Sequence, residues 1–365
     1  MFADRAIVLQ AKSKKLTLAA RKGNDKALKD DFKKAIQHSY DQALLCAKLL
    51  EDDSYQLRDA SLNQLSISRT FKEIYPFCIV SDHYPALTFQ ARQFLRYQQV
   101  GNILPPFVMD IFLLDVMAEM LQTPLQFLNN INRRVLYSES LMVTSELSAL
   151  SYHLKNNLWL DEEYTHIALT EDIAVDLDIA MMARRGGAPG KKTPEGILTQ
   201  LKDTTVGNLI AQIESLEDPG TISLGFMLLS LSGETVHKLN EGIDTISRLS
   251  RQDGKPHNLS LVFGTGDSGI TIHCNSIPTS TAEAQLGTHC LSKKHTQKAA
   301  NWFGICLEPY TQELRFAMAL EYEWEPSVQM DKLVKSLPKP RRKKKKANRG
   351  KGFGEAITQK RRRKK

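Results

Sequence analysis

Cysteine is scarce in this chain. Only Cys46, Cys78, Cys274, Cys290 and Cys306 occur in 365 residues, and no two form a CxxC pair. An odd, widely spaced set excludes a disulfide-stapled scaffold and fits a reducing compartment. Long apolar runs are lacking as well. The stretch from Pro105 to Leu121 comes closest, but Asp110, Asp115 and Glu119 interrupt it, well short of the roughly 20 residues that span a bilayer. Asp4 and Arg5 break any signal-peptide pattern at the start, and no internal repeat is found. Apolar residues at 42% and charged residues at 25% exclude whole-chain disorder. The expectation is a soluble intracellular protein with no membrane partner. It would be cytoplasmic or nucleoid-associated, or nuclear in a eukaryotic host.

Charge is unevenly distributed. The formal net charge is +8, yet residues 331–365 hold 17 Lys or Arg against 2 acids. That segment carries +15 and leaves −7 on residues 1–330. The basic character belongs to the C-terminal run PKPRRKKKKANRGKGFGEAITQKRRRKK, whose low apolarity and like charge predict disorder. Arg341, Arg342, Lys343, Lys344, Lys345, Lys346, Arg361, Arg362 and Arg363 are its candidate phosphate contacts, able to bind a nucleic-acid backbone without reading bases. A solubilising or localisation tail is the other reading of the same run.

The N-terminal region alternates in period. Residues 6–11, AIVLQA, and 74–80, IYPFCIV, predict strands. Between them, KSKKLTLAARKG reads as a basic loop. Leu28, Phe32, Ile36, Tyr40, Ala43, Ala47 and Leu50 predict a helix over 25–50, capped by Asn24 or Asp25. Because strands alternate faces, Gln10 and Lys12 share one side of the first strand.

The run VLQAKSKKLT followed by AARKG resembles the central segment of the restriction-endonuclease-like nucleases, the PD-(D/E)XK superfamily, with a QxK variant as in Mrr-like enzymes. The resemblance covers about residues 1–80. It implies that Gln10 stands at the usual acid and Lys12 at the lysine, and that the partner Asp would lie before Met1 in a chain truncated at its N-terminus. The family's activity is Mg²⁺-dependent phosphodiester hydrolysis, in which carboxylates hold the metal and lysine steadies developing charge. Gln10 offers a metal only a neutral oxygen. The implied protein is therefore catalytically degenerate, needing Mg²⁺ if active and no cofactor otherwise. On the bland reading, Lys12 is a solvated strand end. Lys14, Lys15, Arg21 and Lys22 are further candidate nucleic-acid contacts.

Further along, an apolar stripe from Phe107 to Leu121 predicts a helix with Asp110, Asp115 and Glu119 on its solvated face and Met109, Met117 and Met120 as core filler. A second helix is predicted over 140–156, and Arg133-Arg134 read as a helix end. The basic Gly/Pro run 184–194 reads as a hinge or an exposed insertion, with phosphate contact as the alternative. Strands are predicted at 221–231, 258–263, 270–274, 302–307 and 314–322, with helices at 234–249 and 293–300. Gly264, Gly266 and Gly269 spell GxGxxG, but ITIHC follows, so a hairpin turn is expected rather than a dinucleotide site. His273, Cys274, His289, Cys290 and His295 match no zinc spacing. Cys78 sits within an apolar strand and reads as structural rather than as a thiol nucleophile beside His83.

The expected fold class is α/β: a remnant of a restriction-endonuclease-like core over 1–85, a helical region over 86–200, an α+β domain over 201–330 and a disordered basic tail over 331–365. The expected function is that of a nuclease-related nucleic-acid-binding protein, DNA before RNA. The alternative is a non-enzymatic adaptor that contacts another protein, its tail adding electrostatics.

Overall fold

The computed structural model describes residues 1–81, 91–137, 140–159, 165–263 and 266–337. The architecture is mixed α/β, with many helices and, among the described residues, three small sheets. Residues 1–325 form one compact unit, and a second begins at Pro326. His83, the basic residues beyond position 337 and Gly264 lie outside the described residues.

The chain opens with β1 (Arg5–Lys12) and a short helix, α1 (Leu18–Arg21). A continuous helical run follows: α2 (Asp25–Phe32), a π turn over Lys33–Gln37 and α3 (His38–Glu51). Asn24 starts it, its side chain accepting from the Ala27 amide at 3.0 Å. After β2 (Glu73–Val80) and the short α4 (Ala91–Phe94), β3 (Phe107–Asp110) completes a parallel sheet in the order β1-β2-β3. Arg5 stands opposite Glu73 and Lys12 opposite Val80. Segments 6–11 and 74–80, predicted as strands, are thus paired neighbours.

Strand parity sorts this sheet's side chains. Ala6, Val8 and Ile74 pack with Ala43 and Ala47 of α3, while Cys78, Val80 and Val108 pack with Ala35, Ile36 and Tyr40. Tyr75, Phe77 and Ile79 face the other way, into the main apolar core. That core runs from Phe2 through Leu150 and Ile243 to Leu307, so the segments 1–85, 86–200 and 201–330 share it.

The middle of the chain carries α5 (Ile111–Met120), α6 (Pro124–Leu136), β4 (Leu141–Val143), α7 (Glu146–Asn156), β5 (Ile167–Leu169) and α8 (Val175–Arg185). Phe107, expected in a helix, lies in β3. The helix begins only after Asp110, which is buried as its N-cap and accepts from the Leu113 amide at 2.7 Å. The solvated face predicted for the three acids therefore fails at Asp110. Asp115 and Glu119 pair with Arg185 and Arg184. The helix predicted from 140 starts at Glu146, because Ser145 caps it and 141–143 pair with β5. Met109, Met117 and Met120 are core residues, as expected.

Next come α9 (Ile197–Gln200), α10 (Thr205–Leu216), α11 (Pro219–Leu229) and α12 (Gly233–Asp253). The predicted strand at 221–231 is helix α11. Asp218 caps it and Pro219 occupies its first turn, while Ile222, Leu224, Leu228 and Leu229 are all buried. A helix surrounded by protein reads as a continuous apolar run and loses the period that would betray it.

A four-stranded sheet, β6 (His257–Phe263), β7 (Ser268–Cys274), β8 (Asn301–Leu307) and β9 (Leu314–Glu321), follows in sequential order. β6 and β7 form an antiparallel pair, so the glycine-rich segment between them joins hairpin strands. β7 and β8 are parallel, and α13 (Thr279–Gln297) is the crossover. It is longer than the helix predicted at 293–300, since apart from Leu286 its buried residues, Ala282, Cys290, Ser292 and Lys294, are small or polar and blur the stripe. Trp302 is fully buried beneath α13 and donates to Thr271 Oγ1 at 3.0 Å. A Cβ on Gly269 would lie 2.4 Å from this indole, which explains the glycine better than any nucleotide would. The described part of the second unit holds one helix, α14 (Val328–Ser336).

Candidate nucleic-acid interface

The parity of β1 places Gln10 and Lys12 on the α3 side of the sheet. Gln10 Nε2 donates to Cys46 Sγ at 3.7 Å and Lys12 Nζ to Gln42 Oε1 at 2.5 Å. Ser39 Oγ anchors the strand by donating to the Gln10 carbonyl at 3.0 Å. The two residues named by the QxK pattern are therefore brought together, but their partners are an amide and a thiol rather than carboxylates. Mg²⁺ needs hard oxygen donors, normally charged ones. Among the described residues no three His, Cys, Asp or Glu side chains converge as a metal-binding group, so the residues at this position do not fit such a centre. Cys78, beside Gln10 in register, is fully buried, and burial pushes its thiol up to about 12. It stays protonated and is no nucleophile.

The basic stretch after β1 is folded, not loose. Asp31 is 4% exposed. It accepts from the Thr17 amide at 2.7 Å and the Thr17 hydroxyl at 2.8 Å, and pairs with Lys14 Nζ at 2.9 Å. Leu16 and Ala20 pack against Ala27, Leu28 and Phe32. The loop at 13–17 is thereby pinned to α2. Lys14 is held in that anchor, whereas Lys15, Arg21 and Lys22 are exposed.

Helical spacing adds residues that inspection of the loop alone misses. Lys26, Lys29 and Lys33 follow at i, i+3 and i+7, all exposed, while Leu28, Phe32 and Ile36 turn inward. They span about 10 Å of helix, with Lys34 beside them. Residues 12–34 hold nine Lys or Arg and three acids, a local +6 within an otherwise acidic body.

Asp31 makes this anchor pH-sensitive. Burial raises its pKa, but hydrogen bonds from Thr17 and Lys14 outweigh that and hold the carboxyl below its usual range. A depressed folded-state pKa contributes stability above the unfolded value and loses it as pH falls through the folded one. Asp31→Asn is expected to cost about 1–3 kcal/mol near neutral pH. Its deficit relative to wild type should shrink on acidification below the ordinary carboxylate range. Urea unfolding between neutral and acid pH checks this, and a deficit independent of pH would refute it.

Other candidates resolve as structure. Arg133 Nε donates to the Asn157 carbonyl at 2.6 Å, and Arg184 bonds Glu119 and the Lys192 carbonyl, tying the 184–194 loop down. His273 Nε2 and His289 Nδ1 lie 3.0 Å apart. No helix among the described residues is long and apolar enough to cross a membrane. No protein-family model, curated protein or solved structure matches this chain.

Proposed function

We propose that this chain is a nuclease-related protein that holds the phosphate backbone of nucleic acid, DNA before RNA, without efficient hydrolysis. The carrying observation is the exposed cationic surface of Lys15, Arg21, Lys22, Lys26, Lys29 and Lys33, on a backbone whose 13–17 loop Asp31 pins to α2 at the end of a parallel β1-β2-β3 sheet. Ordered lysines engage phosphates with less conformational entropy to lose than lysines on a free chain. The C-terminal run adds a second concentration of positive charge. The strand–helix–strand order around Gln10 and Lys12 supports the family resemblance, and the amide at position 10 supports weak chemistry.

The test is binding of the full chain to one labelled duplex across a salt series. Reversing Lys26, Lys29 and Lys33 together to Glu is expected to make the log K against log salt slope shallower by about 2. It should weaken binding on the order of a hundredfold at low salt. With Mg²⁺ or Mn²⁺ added, little or no cutting is expected. Robust cutting abolished by Lys12→Ala would overturn the degenerate-site part. Absence of binding by the unmodified chain would overturn the whole and favour a protein-contacting adaptor.

A further inference from the structure

A cavity of about 490 Å³ lies at the far end of β1 from the basic segment, between the parallel sheet, α11 and the four-stranded sheet. Its character follows from register. Phe263 pairs with Ser268, Ser268 with Asn301, and Asn301 with Glu321. Register partners project to the same face of a sheet. An aromatic ring, a hydroxyl, an amide and a carboxylate therefore form one row across all four strands, and all four line the cavity.

The facing wall is built from buried, oriented polar groups. Arg5 is 2% exposed. Its Nε donates to Glu73 at 3.0 Å, its Nη1 to Asp4 at 2.6 Å and its Nη2 to Ser223 Oγ at 3.3 Å. The guanidinium lies 4.7 Å from the centre of the Phe226 ring. Lys72 Nζ donates to Glu321 at 2.6 Å and to the same Ser223 Oγ at 2.8 Å. A hydroxyl has two lone pairs. With both taken by cations, the Ser223 proton is the part left to give. Asn132 Nδ2 donates to Glu73 and to the Tyr75 hydroxyl, each at 3.1 Å, which leaves its carbonyl oxygen to accept.

Both cations thus meet carboxylates within the protein, and the lining acids Glu73, Asp267 and Glu321 outnumber Arg5 and Lys72. An anion gains little there. What the walls offer is fixed donors and acceptors beside the rings of Phe226, Phe263 and Phe303. The volume is that of a small-ligand pocket. We infer that this cleft binds a small neutral ring ligand, rich in hydroxyls and with one apolar face: a nucleoside through its ribose, or a free hexose. Hydroxyls would meet Ser268, Asn301, Glu321 and Asn132, and the apolar face would lie on the phenyl rings. This reading is independent of phosphate binding at the other end of β1.

Calorimetric titration of the full chain with adenosine, guanosine, cytidine and uridine, and separately with glucose, galactose and mannose, tests it. Saturable binding of at least one compound is expected. Nucleosides alone would identify ribose plus base, and hexoses alone a sugar site. Asn301→Ala and Ser268→Ala alter partly exposed side chains at strand starts. Each should weaken binding about tenfold through a lost hydrogen bond, with the unfolding midpoint confirming that the fold is kept. No heat from any of the seven compounds, or affinities unchanged in both variants, would overturn the inference. So would binding of inorganic phosphate or spermidine in place of the neutral compounds.

Discussion

Glu146→Ala is expected to lower the unfolding free energy by about 3–5 kcal/mol, since it strands a buried guanidinium. Arg134 and Glu146 are 2% and 6% exposed. The pair is bidentate, Arg134 Nε to Oε2 at 2.8 Å and Nη2 to Oε1 at 2.7 Å, and it ties α6 to the first turn of α7. Charge-assisted bonds of this geometry are individually strong. Removing one partner leaves the other desolvated, which costs more than the pair contributes net. Replacing both, as Arg134→Met with Glu146→Leu, should therefore cost less than either single change. Urea denaturation of Glu146→Ala, Arg134→Met, Glu146→Leu and the double variant decides it. A double variant less stable than both singles would show that the pair itself, not the desolvation of its remnant, sets the energy.

Deleting residues 338–365 is expected to produce the largest change in nucleic-acid affinity. The deletion removes +14 and leaves −6 on residues 1–337. A like-charged remainder is repelled by DNA at long range. If the full chain neutralises about six phosphates, its log–log salt slope is roughly −5 for duplex DNA. The truncated chain should retain a slope of about −2, contributed by the folded lysines, and bind on the order of a hundred- to a thousandfold more weakly at low salt. Single substitutions among Arg341–Lys346 or Arg361–Arg363 should each act slightly, because backbone contacts made by a segment of uniform charge are interchangeable. Equal affinities of full and truncated chains would place all binding within residues 1–337, with residues 12–34 as the first candidate.

The N-terminal layer shows how far local pattern reaches. The alternation in AIVLQA and IYPFCIV, and the helical stripe from Leu28 to Leu50, predicted two strands and a helix that do pack together. The same alternation put Gln10 and Lys12 on one face. It could not say what that face would meet. Cys46 and Gln42 are supplied by a helix whose register against the strand depends on packing. The lysines at 26, 29 and 33 were legible through the helical period, but attention to the loop alone passes over them.

Sequence by itself determined the charge asymmetry, the parity of the buried strands, the hairpin between β6 and β7, and the start of the long helical run. These depend on neighbours a few residues apart, where the periods of strand and helix and the chemistry of caps act directly. Only tertiary structure decided that 219–229 is a helix, because burial on all sides removed its polar face. It alone made Asp110 a cap and closed Arg134 on Glu146. It alone gathered Arg5, Lys72 and Ser223, separated by as many as 218 positions, around one hydroxyl. Contacts at such distances are selected by the packing of whole layers, and no local period in the chain records them.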